Sequence, residues 1–334
     1  MSAATLVVVT VGLVCAGGLV AFALAALAAA RRPRVICLMY HRVASRKTWE
    51  ALRGGERLFT LPEDAFEAQL GWLRERGYRV VGADDVARFA RGEGRLEDCS
   101  VLLTIDDGCA SVYTRMLPIL RRHGAQAILF VTTDAASAVF REAGTGERRL
   151  TDPEIRELAA AGVEIGSHAV SHRPLSAMQE EEIRRELADS KRELERVTGA
   201  PVRHFAVPAN WYDDRVLRIA SETGYEAVFC SRPSTVRHGA GAFGIARVNV
   251  DGGLDLEGFA RALSPGGIAR RQLVMALRGL PKRFVGPRVW TTLRESALGR
   301  AGGHWLSPSR MATAVAVAVG AGLLTTLAWL LARS

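Results

Sequence analysis

Two short segments carry residue types that do hydrolytic chemistry. Leu102-Leu103-Thr104-Ile105-Asp106-Asp107-Gly108 ends an apolar run in paired carboxylates, and Gly166-Ser167-His168-Ala169-Val170-Ser171-His172 ends another in two histidines. Catalytic zinc sites use three protein ligands and one open position, where bound water becomes far more acidic and a carbonyl can be polarised. Asp107, His168 and His172 can supply the three ligands. Asp106, adjacent but projecting differently, is then free to act as general base. Gly108 permits the sharp turn that follows. Taken singly, a double Asp after a strand can be a capped turn, and two histidines at this spacing can be surface residues. Their co-occurrence favours a divalent-metal hydrolytic site.

Further motifs accompany this pair in order. Thr104-Ile105-Asp106-Asp107-Gly108 resembles the first motif of polysaccharide deacetylases, the NodB-homology enzymes of carbohydrate esterase family four, and Ser167 to His172 resembles the second. Cys37-Leu38-Met39-Tyr40-His41-Arg42-Val43 is similar to the opening strand of one branch, and Phe205-Ala206-Val207-Pro208 to the third motif. With Tyr212 to Val216 and Gly224 to Ala227, the similarity covers residues 35 to 250. The resemblance implies Asp106 as catalytic base and Asp107, His168 and His172 as ligands of one divalent metal, zinc first, with cobalt, nickel or manganese as alternatives. Many members take the general acid from a late histidine, which Gly244 to Val250 lacks. The Met-Tyr-His branch points to His41 instead, and a histidine is suited to protonating a leaving amine near neutral pH. A buried histidine bonded to backbone is the plain reading of the same residue.

The third motif departs from the family pattern. Phe205 to Trp211 contains neither the arginine that often orients the base nor the usual Tyr-Gly. Arg247, ending a later apolar run, can reach the same carboxylate from another strand, although an arginine there is often a solvated charge. Trp211 can stack on a sugar or be an ordinary rim aromatic. Cys109 is read as a small buried residue rather than a fourth ligand. Five cysteines, with no Cys-x-x-Cys spacing, show no disulfide framework and fit a reducing compartment slightly better.

Two uncharged stretches, residues 5–30 and 311–332, each reach the roughly 20 apolar residues that cross a bilayer. The first follows Met1-Ser2-Ala3-Ala4 and becomes positive only at Arg31, Arg32 and Arg34, unlike a secretory leader. Arg294, Arg300 and Arg310 precede the second. By the positive-inside rule the chain between the two helices is expected on the cytoplasmic side of a bacterial inner membrane, with an extracytoplasmic enzyme as the alternative.

Net charge is +9 and the pI is near 9.9. No nucleic-acid fold signature accompanies that charge, so a nucleic-acid partner is not expected. Within residues 251–309, the stretch Ile268 to Phe284 alternates basic and apolar groups at near-helical spacing, as an interfacial helix or an ordinary packed surface helix would.

The elements that must hold the motifs are legible as alternation. Apolar runs at Val35–Met39, Val101–Ile105, Ala127–Val131, Gly162–Ile165, Phe205–Val207, Ala227–Phe229 and Ile245–Val248 read as strands. Helical patterns at Glu63–Arg76, Ser111–Arg122, Asp152–Ala160, Gln179–Val197 and Asp213–Thr223 separate them. The charges of Gln179 to Leu187 are expected to form a solvated face. The fold class is α/β, a distorted (β/α)7-type barrel flanked by transmembrane helices, with both motifs at the carboxyl ends of strands. The organisation expected is a transmembrane helix at 5–30, a deacetylase domain at 35–250, a basic extension at 251–309 and a second transmembrane helix at 311–332.

The expected activity is removal of an N-acyl group, acetyl or formyl, from an amino sugar. The expected partners are an N-acylated glycan or undecaprenyl-linked sugar, the lipid bilayer and polysaccharide biosynthesis machinery. Exopolysaccharide or peptidoglycan deacetylation outside the cytoplasm is an alternative. A catalytically inactive glycan-binding or assembly protein is an alternative of another class.

Overall fold

The computed structural model describes residues 35–141 and 147–285. The stretches 5–30 and 311–332 lie outside them. Among the described residues, no helix is long and apolar enough to cross a membrane.

Seven parallel strands close into a ring. They are β1 (Ile36–Tyr40), β5 (Ser100–Ile105), β6 (Ile128–Val131), β7 (Glu164–Ser167), β8 (His204–Ala206), β9 (Ala227–Cys230) and β10 (Phe243–Asn249). Each pairs with the next, and β1 closes the ring by pairing with both β10 and β5, in register from Ile36↔Val101 to Tyr40↔Ile105. All seven apolar runs of the sequence are these strands. They read as continuous apolar segments because both faces are covered, one by the ring's own filling and one by helices. Cys37, Leu102, Phe130 and Phe229 fill one cluster, while the alternating Leu38, Leu103, Leu129 and Val228 belong to a larger one that also takes in helix residues Leu70, Ile155, Leu187 and Ile219.

Three short strands have no counterpart in the sequence reading. β2 (Arg42–Ala44) and β3 (Thr60–Pro62) form a separate parallel pair beyond the end of β1, and β4 (Arg79–Val80) pairs with the foot of β5. At two or three residues each, they are too short to show a period.

The crossover helices fall close to their expected ranges, at Glu63–Glu75, Asp152–Ala160, Glu180–Thr198 and Asp214–Glu222. Ser111–Arg122 divides into a π-helical turn, Val112–Met116, and an α-helix, Leu117–His123. The compact unit runs from Pro33 to Ile268, and the chain from Ala269 onward belongs to a separate unit. The compact unit thus continues past residue 250. Helix Leu256–Leu263 is part of the barrel unit, with Phe259 fully buried and edge-on to Trp72. A further helix spans Pro265–Val285. Residues 286–309 of the expected extension lie outside the described residues.

Candidate active site

The carboxyl ends of β1, β5, β7 and β8 meet at one end of the ring, the face on which barrel enzymes carry their sites. The backbone N–H of Asp106 donates to Tyr40 O (2.9 Å) and so continues the ladder of β5 one residue past the strand. Asp107 then turns into the left-handed region, at φ 79°. This reversal gives the two neighbouring carboxylates different surroundings. Gly108 follows at φ 88°, where a Cβ would stand 2.9 Å from Val131 Cγ1, so the turn is closed to any larger residue.

Arg247 of β10 lies beneath this turn, 1% exposed. It grips Asp106 bidentately, Nη1 to Oδ1 at 2.6 Å and Nη2 to Oδ2 at 2.8 Å, and Nη1 also donates to Thr104 Oγ1 (3.1 Å). Burial alone would raise the Asp106 carboxyl. The Arg247 guanidinium, aided by His168, outweighs burial and holds it at about 2. Asp106 is therefore an ionised acceptor at neutral pH. The third motif has no arginine, and Asp106 is held by one 141 residues along the chain.

His168 follows β7. Its Nδ1 bonds Ala206 O at 2.8 Å, which leaves Nε2 facing Asp107 Oδ1 at 3.8 Å and Asp106 Oδ2 at 4.0 Å. Burial pushes its imidazole down to about 4 against the pull of Asp106. The ring is thus neutral at pH 7, with the lone pair of Nε2 turned into the site. His172 Nε2 stands 3.5 Å from Asp107 Oδ1. One carboxylate oxygen and two imidazole nitrogens of Asp107, His168 and His172 all lie within 4.8 Å of one another. This set fits a divalent ion of the zinc class, whose ligands are commonly imidazole and carboxylate.

His41 follows β1 directly and is half-buried, its ring 4.8 Å from that of Phe59. Burial lowers its pKa, while Asp107 and then Asp106 act in the opposite sense. The imidazole thus lies within the field of both carboxylates. Cys109 is fully buried, and burial reinforced by Asp107 pushes its thiol well above the ordinary value. Cys37, Cys99, Cys109 and Cys230 are all free thiols. Trp211 is 41% exposed.

Two supports of the site were not legible. Glu186 was expected on a solvated face, but its Oε2 accepts from the N–H groups of Val170 (2.9 Å) and Ser171 (2.8 Å), and its Oε1 from Ser171 Oγ (2.7 Å). It clamps the loop between the two histidines. The neighbours do behave as surface charges, Glu180 pairing with Arg218 and Arg184 with Glu222. The other support is Asn210, whose Oδ1 accepts from Ser231 N (2.8 Å) and fixes a turn in which Ala209 and Asn210 both take positive φ. The apolar pattern of helix Glu180–Thr198, which buries Ile183, Leu187, Leu194 and Val197, shows where Glu186 sits on the helix but not what it accepts from.

The polysaccharide deacetylase family model matches residues 93–228, which contain both motifs. Over those residues the chain is similar to this family. It is 25% identical over 222 residues to YxkH of Bacillus subtilis (strain 168), named for the same family, covering 66% of this chain and 73% of that one. It is 28% identical over 133 residues to a peptidoglycan-N-acetylglucosamine deacetylase of Bacillus cereus, covering 39% of this chain and 56% of that one. Among solved structures, the Streptococcus pyogenes deacetylase PplD in complex with acetate superposes with a TM-score of 0.59 at 23% identity, covering 70% of this chain and 99% of that one. That likeness establishes a shared fold. The family model, the relatives and the shared fold agree on a carbohydrate deacetylase, with a parallel seven-stranded barrel as the resemblance implies.

Proposed function

We propose that this protein is a membrane-anchored, metal-dependent hydrolase that removes an acetyl or formyl group from the nitrogen of an amino sugar, in a glycan or lipid-linked saccharide. The observation that carries the chemistry is the division of labour between adjacent carboxylates. Asp106 is locked onto Arg247, and Asp107 converges with His168 and His172. A divalent ion held by these last three would supply Lewis acidity toward the amide carbonyl and make water more acidic.

The chain's own residues do the rest. Asp106 accepts the proton of the attacking water on a carboxylate oxygen, and Arg247 keeps that carboxylate ionised and fixed in angle. Ala206 O holds the His168 Nδ1–H, which fixes the tautomer and aims Nε2. His41 delivers a proton to the departing amine nitrogen. Because burial lowers its pKa, its imidazolium is a minor form at neutral pH and a ready donor. Trp211 offers an exposed ring at which a sugar face can stack.

Anchoring is supported by the uncharged stretches 5–30 and 311–332, and the cytoplasmic side by the arginines that flank them. The helix from Pro265 adds exposed Leu273 and Met275 beside Arg270 and Arg271, a composition suited to an anionic bilayer surface. Such a location favours lipid-borne sugar as substrate.

The test is acyl release by the full-length, zinc-loaded protein from a panel of N-acetylated and N-formylated amino sugars, lipid-linked ones included. Release from at least one, lost in the Asp106→Asn variant, is expected. A metal-loaded wild type inert on the whole panel would overturn the reading. Reporter fusions at both termini test sidedness separately, and termini facing the cytoplasm would refute the cytoplasmic placement.

A further inference from the structure

Beside the groups used above, one charged side chain among the described residues is buried with two of its three guanidinium nitrogens unpartnered. Arg42 is 7% exposed, and its Nε and Nη1 have no hydrogen-bond acceptor. None of the ion pairs among the described residues includes it. Arg247, buried more deeply still, shows the contrast: its guanidinium holds Asp106 with two bonds. A buried cation without a counter-ion is costly.

The surroundings of Arg42 place it beside the candidate active site. It is the residue directly after His41 and the first of β2, where it pairs in register with Thr60 of β3. Thr60 is fully buried, and its Oγ1 also lacks a partner. The residues just before these two, His41 and Phe59, bring their rings to 4.8 Å. The two strands thus present an aromatic pair at the mouth of the barrel, followed by a pair of unsatisfied polar groups. The Arg42 charge is also felt at His41 and at Cys109, just past the Asp-Asp-Gly turn. Two carboxylates act on the same Cys109, but Asp107 is assigned above to the metal and Glu147 accepts from Ser111 N, and neither forms an ion pair with Arg42 among the described residues.

We infer that Arg42, together with the Thr60 hydroxyl, binds an oxyanion carried by the substrate, a phosphoryl or carboxylate group attached to the amino sugar that is deacylated. This inference rests on the N-deacylase reading. A guanidinium presents a planar fork of donors that matches either oxyanion bidentately, whereas a neutral hydroxyl leaves the charge uncompensated. The enzyme is accordingly selective for acidic amino sugars, such as sugar phosphates, over neutral N-acetylated polymer.

The experiment compares kcat/KM of the full-length, metal-loaded enzyme on three N-acetylated amino sugars: one neutral, one bearing a phosphate ester and one bearing a carboxylate. In Arg42→Gln the ratio of anionic to neutral kcat/KM should fall at least tenfold, mostly through KM, and Arg42→Lys should recover part of it. The anion showing the larger fall is the one the site takes. Because a buried unpaired charge has gone, Arg42→Gln should melt no lower than wild type. An unchanged ratio, or a lower melting temperature with equal losses on all three substrates, would make Arg42 a structural cation and overturn the inference. If Arg42→Gln fails to fold, Thr60→Val decides in its place, and an unchanged ratio there overturns the inference equally. A wild type inert on all three substrates and on the wider panel would instead reject the deacylase reading and this inference with it. Turnover without Arg42-dependent selectivity would reject this inference alone.

Discussion

Asp106 and Asp107 are chemically identical and adjacent, yet only Asp106 is gripped by a guanidinium. Asp106→Asn keeps the shape and loses the charge, so acyl release should fall by at least about 100-fold. Metal content measured by elemental analysis should stay unchanged, whereas His168→Ala should lose the metal. Co-loss of metal in Asp106→Asn would mean that Asp106 is a ligand rather than the base. Arg247→Ala carries a different cost, because it strands a buried carboxylate. Breaking such a pair from one side typically costs about 3–5 kcal/mol, which chemical denaturation would read directly, and Arg247→Lys should recover part. The Asp and His pairs were legible because each is contiguous, and contiguity fixes relative position whatever the fold. Arg247 was legible only as a charge at the end of an apolar run, since its partner is brought to it by ring closure. Arg42 is legible only as one residue of the Met-Tyr-His motif, because burial without a partner has no sequence signature.

At the scale of elements, all seven barrel strands were legible because both faces of each are covered, and this writes an unbroken apolar run into the chain. The β2–β3 pair was not, since three residues carry no period, although this pair positions Arg42 against Thr60. Helix Glu180–Thr198 shows the same limit. Its buried stripe was readable, but which of its many charges turns inward depends on where the loop after β7 passes. That loop carries both histidines, so Glu186 governs the site through an element rather than by contact with substrate. Glu186→Gln keeps the length and weakens the charge-assisted bonds to Val170 and Ser171. Metal affinity, measured by competition with a chelator, should fall about 10- to 100-fold with the far-ultraviolet spectrum unchanged. Undiminished affinity would show that the loop holds its shape without the clamp. Gly166→Ala tests the strand itself. A Cβ there would stand 2.5 Å from the Phe130 ring and 3.1 Å from His204 O, so β7 must shift or the ring must move. A loss of about 1–3 kcal/mol is expected.

For the whole molecule, folding stability is coupled to the site through the groups it buries. His168 is neutral in the fold, its pKa pushed down to about 4 by burial, while in the unfolded chain it takes a proton near its ordinary 6.5. Between those values the unfolded chain binds more protons, so stability falls as pH drops from 6.5 toward 4. The shift corresponds to roughly 3 kcal/mol at most for this one group. Asp106 also has a depressed folded pKa, but as a carboxylate it acts lower. Its contribution is complete above the unfolded carboxyl value near 4 and is lost only as pH falls through about 2. The two windows barely overlap, so mild acid separates the His168 contribution from that of Asp106, while His41, whose pKa burial also lowers, contributes equally in wild type and in a His168 variant. Metal-free wild-type protein should therefore lose stability between pH 6.5 and 4 more steeply than metal-free His168→Gln, which cannot titrate there. The measurement is a denaturant midpoint at half-unit pH steps for both proteins. Parallel curves would mean that His168 is solvated in the metal-free protein, and that the site is not held in its binding arrangement before the ion arrives.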